Sequence, residues 1–312
     1  MRLWVLMVGL LMGSGSSAAV PDAGVGDAAP KLSVEKWVHG AASDPTAGGR
    51  IHVVNFFAAH CQPCEQLSPF LTEIQHRFIE HVVVIGVAAP ELRTTPSTEI
   101  EDWVARQGDA LDYRVAWDGD GSAFRTYMTG GTHLQRIPYA FVVDAQGKIA
   151  WRGMPQPDEL VGAVTRLLPD SFDPRRAERI EEARGRVGQY RELARSDTFD
   201  AAKAAELGEQ IMKGASDSQV IMQIFATVIM SIEDDARRDA ALGLRTAKAS
   251  YDFGGAEDPA LLMVYARALF ETGDAQEAVT IQRRVMTMVK DVKLRTEAKK
   301  ALDEYYQATR KK

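Results

Sequence analysis

Short apolar runs alternate with amphipathic stretches over the first half of the chain, and beyond Pro169 only amphipathic stretches remain. Ile51-His52-Val53-Val54-Asn55-Phe56-Phe57 is a β-branched and aromatic run of strand length. Between Glu65 and Phe78, the residues Leu67, Phe70, Leu71, Ile74 and Phe78 recur at helical spacing. His81–Val87 is continuously apolar, the pattern of a strand buried on both faces. Leu32–Val38 predicts a short first strand, and Thr98-Glu99-Ile100-Glu101 has the form of a capping box opening a helix through Trp103 and Val104. Tyr139–Val143 and Lys148–Arg152 flank Asp144-Ala145-Gln146-Gly147 as a hairpin, and Asp158–Leu168 predicts a closing amphipathic helix. The alternation predicts an α/β domain over 32–168.

From Asp173-Pro174 onward strand signals vanish. Asp173 suits an N-cap with Pro174 at the first helical position, and further starts are predicted at Asp217, at Asp258-Pro259 and at the Asp274…Glu277 capping box. An all-α domain of roughly seven helices is expected over 173–312, with Pro169–Asp173 as linker.

Composition narrows the functional classes. The chain has 312 residues, 46% of them hydrophobic, which excludes global disorder; a net charge of −6 gives no general attraction to nucleic acid or anionic membrane. Met1-Arg2, the apolar run Leu3–Met12 and the small residues Gly13–Ala19 follow the order of a secretory signal with cleavage after Ala19. The competing reading, a retained anchor, is weakened because the run is about half the ~20 residues a span needs. No cysteine follows the run, so a lipoprotein anchor is excluded. The expectation is a signal over 1–19, a flexible leader over 20–31, and export to the bacterial periplasm with no membrane span after cleavage.

The two cysteines, Cys61 and Cys64, stand at the junction of the predicted strand and helix. A helix N-terminus stabilises an anion, so Cys61 is expected to be the nucleophile and Cys64 the resolving thiol of a redox pair. Zinc needs four ligands, and no second cysteine pair or His-x(3–5)-His run supplies the rest. An inert disulfide and an incomplete metal site remain as alternatives. His39, His52, His76, His81 and His133 show no ligand spacing and are expected at surface or packing positions. Met222, Met230, Met263, Met286 and Met288 are read as core filling rather than copper ligands, and Lys311-Lys312 as a solvated tail. No metal and no dissociable cofactor are expected.

Val53–Cys64 and Arg136–Gly147 together resemble the thioredoxin superfamily, in the exported redoxin branch typified by bacterial TlpA and ResA proteins. The resemblance implies a central mixed sheet flanked by helices. It also implies that Pro138 is the cis-proline lying against the cysteine pair, with Ile137 presenting backbone groups to substrate and Gln62 and Pro63 modulating the pair. Two departures matter. His60 replaces the family's usual Trp, either as a cation beside the Cys61 thiolate or as a half-exposed ring replacing an aromatic platform. Asn55 stands where classical thioredoxins carry a buried acid, which leaves the proton acceptor for Cys64 open. The segment Tyr265–Ala278 resembles a tetratricopeptide repeat, implying a partner-binding scaffold, with a plain helical bundle as the other reading.

These features point to an exported thiol:disulfide oxidoreductase, acting on protein disulfides through a mixed disulfide and re-reduced by an upstream dithiol. The resemblance favours reduction over oxidation. Its rival is a repeat-based interaction module whose redoxin domain is regulatory or vestigial. Copper delivery is disfavoured by the cysteine spacing.

Overall fold

The computed structural model describes residues 23–89, 95–128, 137–289 and 292–310; the expected signal over 1–19, His133 and the Lys311-Lys312 tail lie outside them. The chain divides into two compact units, Met1–Ser68 with Val84–Ala163 and Pro69–Val83 with Val164–Lys312.

Six strands, β1 Lys36–His39, β2 Ile51–Phe57, β3 Val82–Ala88, β4 Arg114–Trp117, β5 Tyr139–Val143 and β6 Ile149–Gly153, form one sheet in the order β1-β4-β3-β2-β5-β6. β3 and β4 are parallel, whereas β1 with β4, β2 with β5, and β5 with β6 are antiparallel. With helices α1 Gln62–Arg77, α2 Ser97–Gln107, α3 Ser122–Tyr127 and α4 Pro157–Thr165, this is a thioredoxin-like fold. Every residue of β2 and β3 is buried, because these strands are central in the sheet. Successive side chains leave a strand on opposite faces. Phe56 accordingly meets Phe124, Tyr127 and Phe141, while Phe57 stacks on Trp103, 4.5 Å between ring centroids. Asn55, two residues before Phe57, shares its face.

Tertiary contacts redraw several expected boundaries. β4 and α3 are too short, four and six residues, to show a period in the sequence. Pairing with β1 and β3 makes β4, and α3 is braced by Asp118, whose carboxylate accepts from the Ala123 and Phe124 N–H groups at 3.0 and 2.7 Å. β1 starts at Lys36 rather than Leu32 because its pairing with β4 starts there, Lys36 opposite Trp117, the last residue of β4. Residues 23–31, expected as a flexible leader, lie along β6 instead. The Gly26 N–H donates to Ile149 O and the Ala29 N–H to Gly147 O, both at 2.8 Å, which covers a sheet edge. The Thr98–Glu101 capping box does not form. α2 begins at Ser97 after an extended Pro96 with no side-chain cap, and the two carboxylates serve other residues, Glu101 taking Lys36 Nζ at 2.5 Å and Glu99 taking His60.

The second unit carries α5 Pro174–Arg195, α6 Ala201–Ala215, α7 Gln219–Met230, α8 Ala240–Asp252, α9 Pro259–Glu271, α10 Ala275–Met288 and α11 Val292–Thr309. Asp173, Asp200, Ser218, Asp239, Asp258 and Asp274 cap α5 to α10 through their side chains. α7 therefore starts after Ser218 and not at Asp217. The Asp217 carboxylate is engaged by Arg179 and Arg176, which hold its pKa down to about 2. Successive helices pack against one another. A Cβ at Gly243 would stand 2.5 Å from Met230 Sδ, so glycine permits the close approach of α8 to the end of α7. Ile79 belongs to the same buried cluster as Ile180, Tyr190, Ile211 and Phe225. Glu80 takes the Arg176 guanidinium on both oxygens, and the Phe172 ring lies 5.9 Å from Phe78 and 5.6 Å from His81.

Two predictions follow from this packing. Ending the chain at Leu168 removes Phe172, Ile180 and Arg176, so Phe78 and Ile79 lose cover and Glu80 its partner; calorimetry should show a Tm about 5 °C or more below that of the full chain. An unchanged Tm would mean that these contacts add nothing to stability. The second concerns His52, only 3% exposed, whose Nδ1 reaches Arg50 O at 3.2 Å and whose Nε2 faces Ser43 Oγ at 3.1 Å. Burial pushes its pKa down from 6.5 to about 4. The unfolded chain therefore binds the proton first, and stability that is complete above pH 6.5 falls as the pH drops towards 4, by on the order of 2 kcal/mol. Urea titrations across that window should show the loss, and His52→Gln should remove it; an equally steep decline in the variant would exonerate His52.

Candidate active site

Cys61 lies immediately before α1. Its carbonyl accepts from the Cys64 and Glu65 N–H groups at 3.0 and 3.1 Å, the opening bonds of the helix, and its own N–H donates to Ala58 O at 3.2 Å. The two cysteines form a disulfide, S–S 2.05 Å and Cα–Cα 5.2 Å. Their surroundings differ. Cys61 is partly exposed, whereas Cys64 is 3% exposed on the inner side of the helix. The Cys64 N–H points at Cys61 Sγ from 3.2 Å. Negative charge arriving on Cys61 thus meets an N–H and the positive end of α1, while burial disfavours charge on Cys64.

The other wall is the start of β5. The Ile137–Pro138 bond is cis, the isomer the resemblance implies, and Ile137 O lies 3.9 Å from Cys61 Sγ. A disulfide sulfur carries no proton, so this is contact rather than a hydrogen bond. The β2–β5 ladder, with Phe56 opposite Tyr139, sets that approach. The structure therefore brings Cys61, Cys64, Ile137 and Pro138 together. Gln62 and Pro63 are exposed in the first turn of α1. His60 is not a packed platform: its side chain is 68% exposed, and Nε2 lies 2.5 Å from Glu99 Oε1.

Other residues near the site escaped sequence reasoning. Glu99 and Gln107 come from the two ends of α2, and Gln107 Nε2 lies 3.4 Å from Glu65 Oε1. Ser68 Oγ is 3.1 Å from the Tyr113 hydroxyl, and burial pushes the Tyr113 pKa up to about 12, so the phenol stays neutral. Only Ser68 left a signal, standing one helical turn after Cys64 on the same side of α1. The remaining pairings join distant segments and have no spacing to reveal them. Asn55 is 2% exposed, and its Oδ1 has no hydrogen-bond partner among the described residues. Elsewhere, Glu35, Asp118 and Asp120 converge, but each already accepts backbone N–H groups of the 119–124 stretch, so they organise that loop. His39 holds Tyr113 O at 2.8 Å through Nδ1, a packing contact.

Residues 25–152 match the AhpC/TSA family. Over 136 residues the chain is 28% identical to protein FixW of Rhizobium leguminosarum, covering 41% of this chain and 60% of FixW. It is 26% identical over 119 residues to the thiol-disulfide oxidoreductase ResA of Bacillus anthracis, covering 37% of this chain and 62% of ResA. The chain thus spans less than two thirds of either relative. Among solved structures, a thioredoxin-family thiol:disulfide interchange protein of Chlorobium tepidum shares 22% identity and covers 48% of this chain and 100% of its own, with a TM-score of 0.38. A secreted disulfide oxidoreductase of Mycobacterium tuberculosis shares 20% identity over 44% of this chain and 96% of its own, with a TM-score of 0.35.

The unequal exposure of the two sulfurs predicts the order of modification. With the reduced protein and limiting iodoacetamide near neutral pH, Cys61 should be alkylated first, at least about tenfold faster than Cys64, as peptide mass mapping would read. Equal labelling, or Cys64 reacting first, would reverse the assigned roles.

Proposed function

We propose that this chain is an exported thiol:disulfide oxidoreductase acting on protein disulfides, a reading supported by the match of residues 25–152 to the AhpC/TSA family. The observation that carries the reading is the asymmetric cysteine pair at the start of α1, one sulfur open and backed by an N–H, the other buried, with the Ile137 carbonyl alongside. The Cys61 thiolate attacks a client disulfide, forming a mixed disulfide and releasing the client's other sulfur as a thiol. Cys64 then attacks Cys61 Sγ, and the client leaves with both sulfurs reduced. The Cys61–Cys64 disulfide is left oxidised and is returned to the dithiol by a donor dithiol. Ile137 and Pro138 form the wall against which a client segment lies, and Gln62, Pro63 and His60 are the exposed residues a client meets first. The pair itself is the redox group, and no dissociable cofactor enters these steps.

Export rests on the apolar run Leu3–Met12 and the small residues ending at Ala19, and fits a periplasmic location. Among the described residues no helix is long and apolar enough to cross a membrane. Reduction is the favoured direction, by likeness to ResA. The helices of 173–312 serve as a tetratricopeptide-like scaffold for a protein partner; their regular capping and successive packing support this.

Trapping tests the central step. Cys64→Ser blocks resolution but not attack, so non-reducing gels of the exported fraction should show Cys61-dependent adducts that dithiothreitol dissolves. If Cys64→Ser yields no adducts beyond those of the Cys61→Ser, Cys64→Ser double variant, exchange with protein disulfides is wrong.

A further inference from the structure

Two arginines near the end of α5 have no role in closing the helix. Carbonyls at that end already have donors: the Ser196 N–H reaches Leu193 O at 3.2 Å, and Arg237, from the turn after α7, reaches Ala194 O and Ser196 O through Nη1 at 3.2 and 2.9 Å. Among the described residues neither the Arg191 nor the Arg195 guanidinium has a hydrogen-bond or ionic partner. One turn apart on α5, they line a cavity of about 260 Å³ together with Ala194, Val228, Ile232 and Glu233. The floor is apolar, with Ala194 and Val228 buried and Ile232 half-buried. The rim is exposed, with the two guanidiniums on α5 and the Glu233 carboxylate on the turn after α7. Glu233 likewise has no partner among the described residues, so opposite charges line one cavity without pairing. The turn that carries Glu233 is braced in advance. Asp234 accepts from the Ala236 N–H at 2.9 Å and from Arg237 Nε at 3.1 Å, and Arg238 holds Ile232 O.

We propose that this cavity docks a segment of a partner protein in which one apolar side chain is flanked by an acidic residue on one side and a basic residue on the other. The apolar side chain rests on Ala194, Val228 and Ile232, the carboxylate meets Arg191 and Arg195, and the cation meets Glu233. The assignment rests on the reading of 173–312 as a partner scaffold and adds the place and the chemistry of the contact. Size favours a protein segment, because the cavity lies below the roughly 300–1,000 Å³ of sites that enclose a whole small molecule and suits one anchoring side chain. Charge favours a mixed segment. A run of acidic residues would bring further carboxylates against Glu233, and a wholly apolar segment would draw nothing from either rim. Complementary rim charges select the partner and its register more than they add affinity. A turn fixed by its own hydrogen bonds keeps the ordering cost of docking low.

The test titrates the full chain with an N-acetylated, C-amidated pentapeptide of glutamate, serine, leucine, serine and lysine in that order. Alternation sets its glutamate, leucine and lysine on one side of an extended segment. Ligand-observed NMR up to about 5 mM peptide should show saturable binding, within the weak range that one exposed anchor supports. Replacing the peptide's glutamate by glutamine should weaken binding about fivefold, and replacing its leucine by alanine at least as much. The Arg191→Gln, Arg195→Gln double variant should lose the preference for glutamate over glutamine, and Glu233→Gln the preference for lysine over glutamine. Arg175→Gln, which removes an exposed charge at the other end of α5, should keep both preferences. Absence of saturable binding, or preferences that persist in the cavity variants, overturns the proposal. Tighter binding by a capped triglutamate peptide, or by a tripeptide ending in leucine with a free carboxylate, overturns the assigned occupant and leaves the helices as a scaffold. If none of these peptides binds, the scaffold reading falls with it. Pentapeptide binding with the expected preferences, but without trapped adducts from Cys64→Ser, upholds the site and sinks the exchange chemistry alone.

Discussion

The pairing of β2 with β5 is the constraint on which the site depends. Cys61 and Ile137 stand 76 residues apart, each in the loop at one end of a strand, and they meet because those strands are antiparallel neighbours with Phe56 opposite Tyr139. The ladder is a row of backbone bonds in the sheet interior, shielded from water by the buried side chains of β2 and by Phe141 and Val142. A register slip of one residue would turn Phe56, Phe57 and Asn55 to the wrong faces. The active-site geometry and the core are therefore fixed by the same hydrogen bonds.

From that frame α1 acquires opposite environments for two sulfurs three residues apart. One sulfur meets the open N-terminal turn, where unsatisfied N–H groups and the helix dipole favour charge. The other points inward, where desolvation disfavours it. No ionised side chain is needed to create this difference, because it follows from helix geometry and burial alone. Side chains then tune it. α2 and the turn after it reach the first turns of α1 through Glu99 to His60, Gln107 to Glu65, and Ala110 with Tyr113 to Ser68. The segment between β3 and β4 thus acts as a brace for the cysteine helix.

Wherever apolar residues form a long run, the sequence is legible. β2, the body of α1, β3 and the β5–β6 hairpin can be read directly, and so can the starts of α5, α9 and α10, where Asp173, Asp258 and Asp274 bond the first-turn N–H groups. Short elements are not legible. β4 and α3 exist because of partners far along the chain, and the order of residues 23–31 comes from the β6 edge that they cover. At the misplaced caps the carboxylates are engaged by distant side chains instead, Asp217 by Arg176 and Arg179 and Glu101 by Lys36. The cysteine pair was visible from its spacing, and Pro138 only through resemblance. The pairing of His60 with Glu99 and the orphaned oxygen of Asn55 needed three dimensions.

The division into units shows why composition is an imperfect guide to organisation. The change from mixed to purely helical pattern falls at Pro169–Asp173, yet the boundary of compactness passes through α1 at Pro69, through β3 and through α4. Ile79, Phe78 and Glu80 find their apolar and ionic partners among residues 172–225, so the turn that follows the cysteine helix is built into the second unit's core. A helix is stiff along its axis, because each turn is bonded to the next. Whatever loosens the anchoring of Phe78 to Glu80 therefore bears on the end of the element whose first turn holds the disulfide.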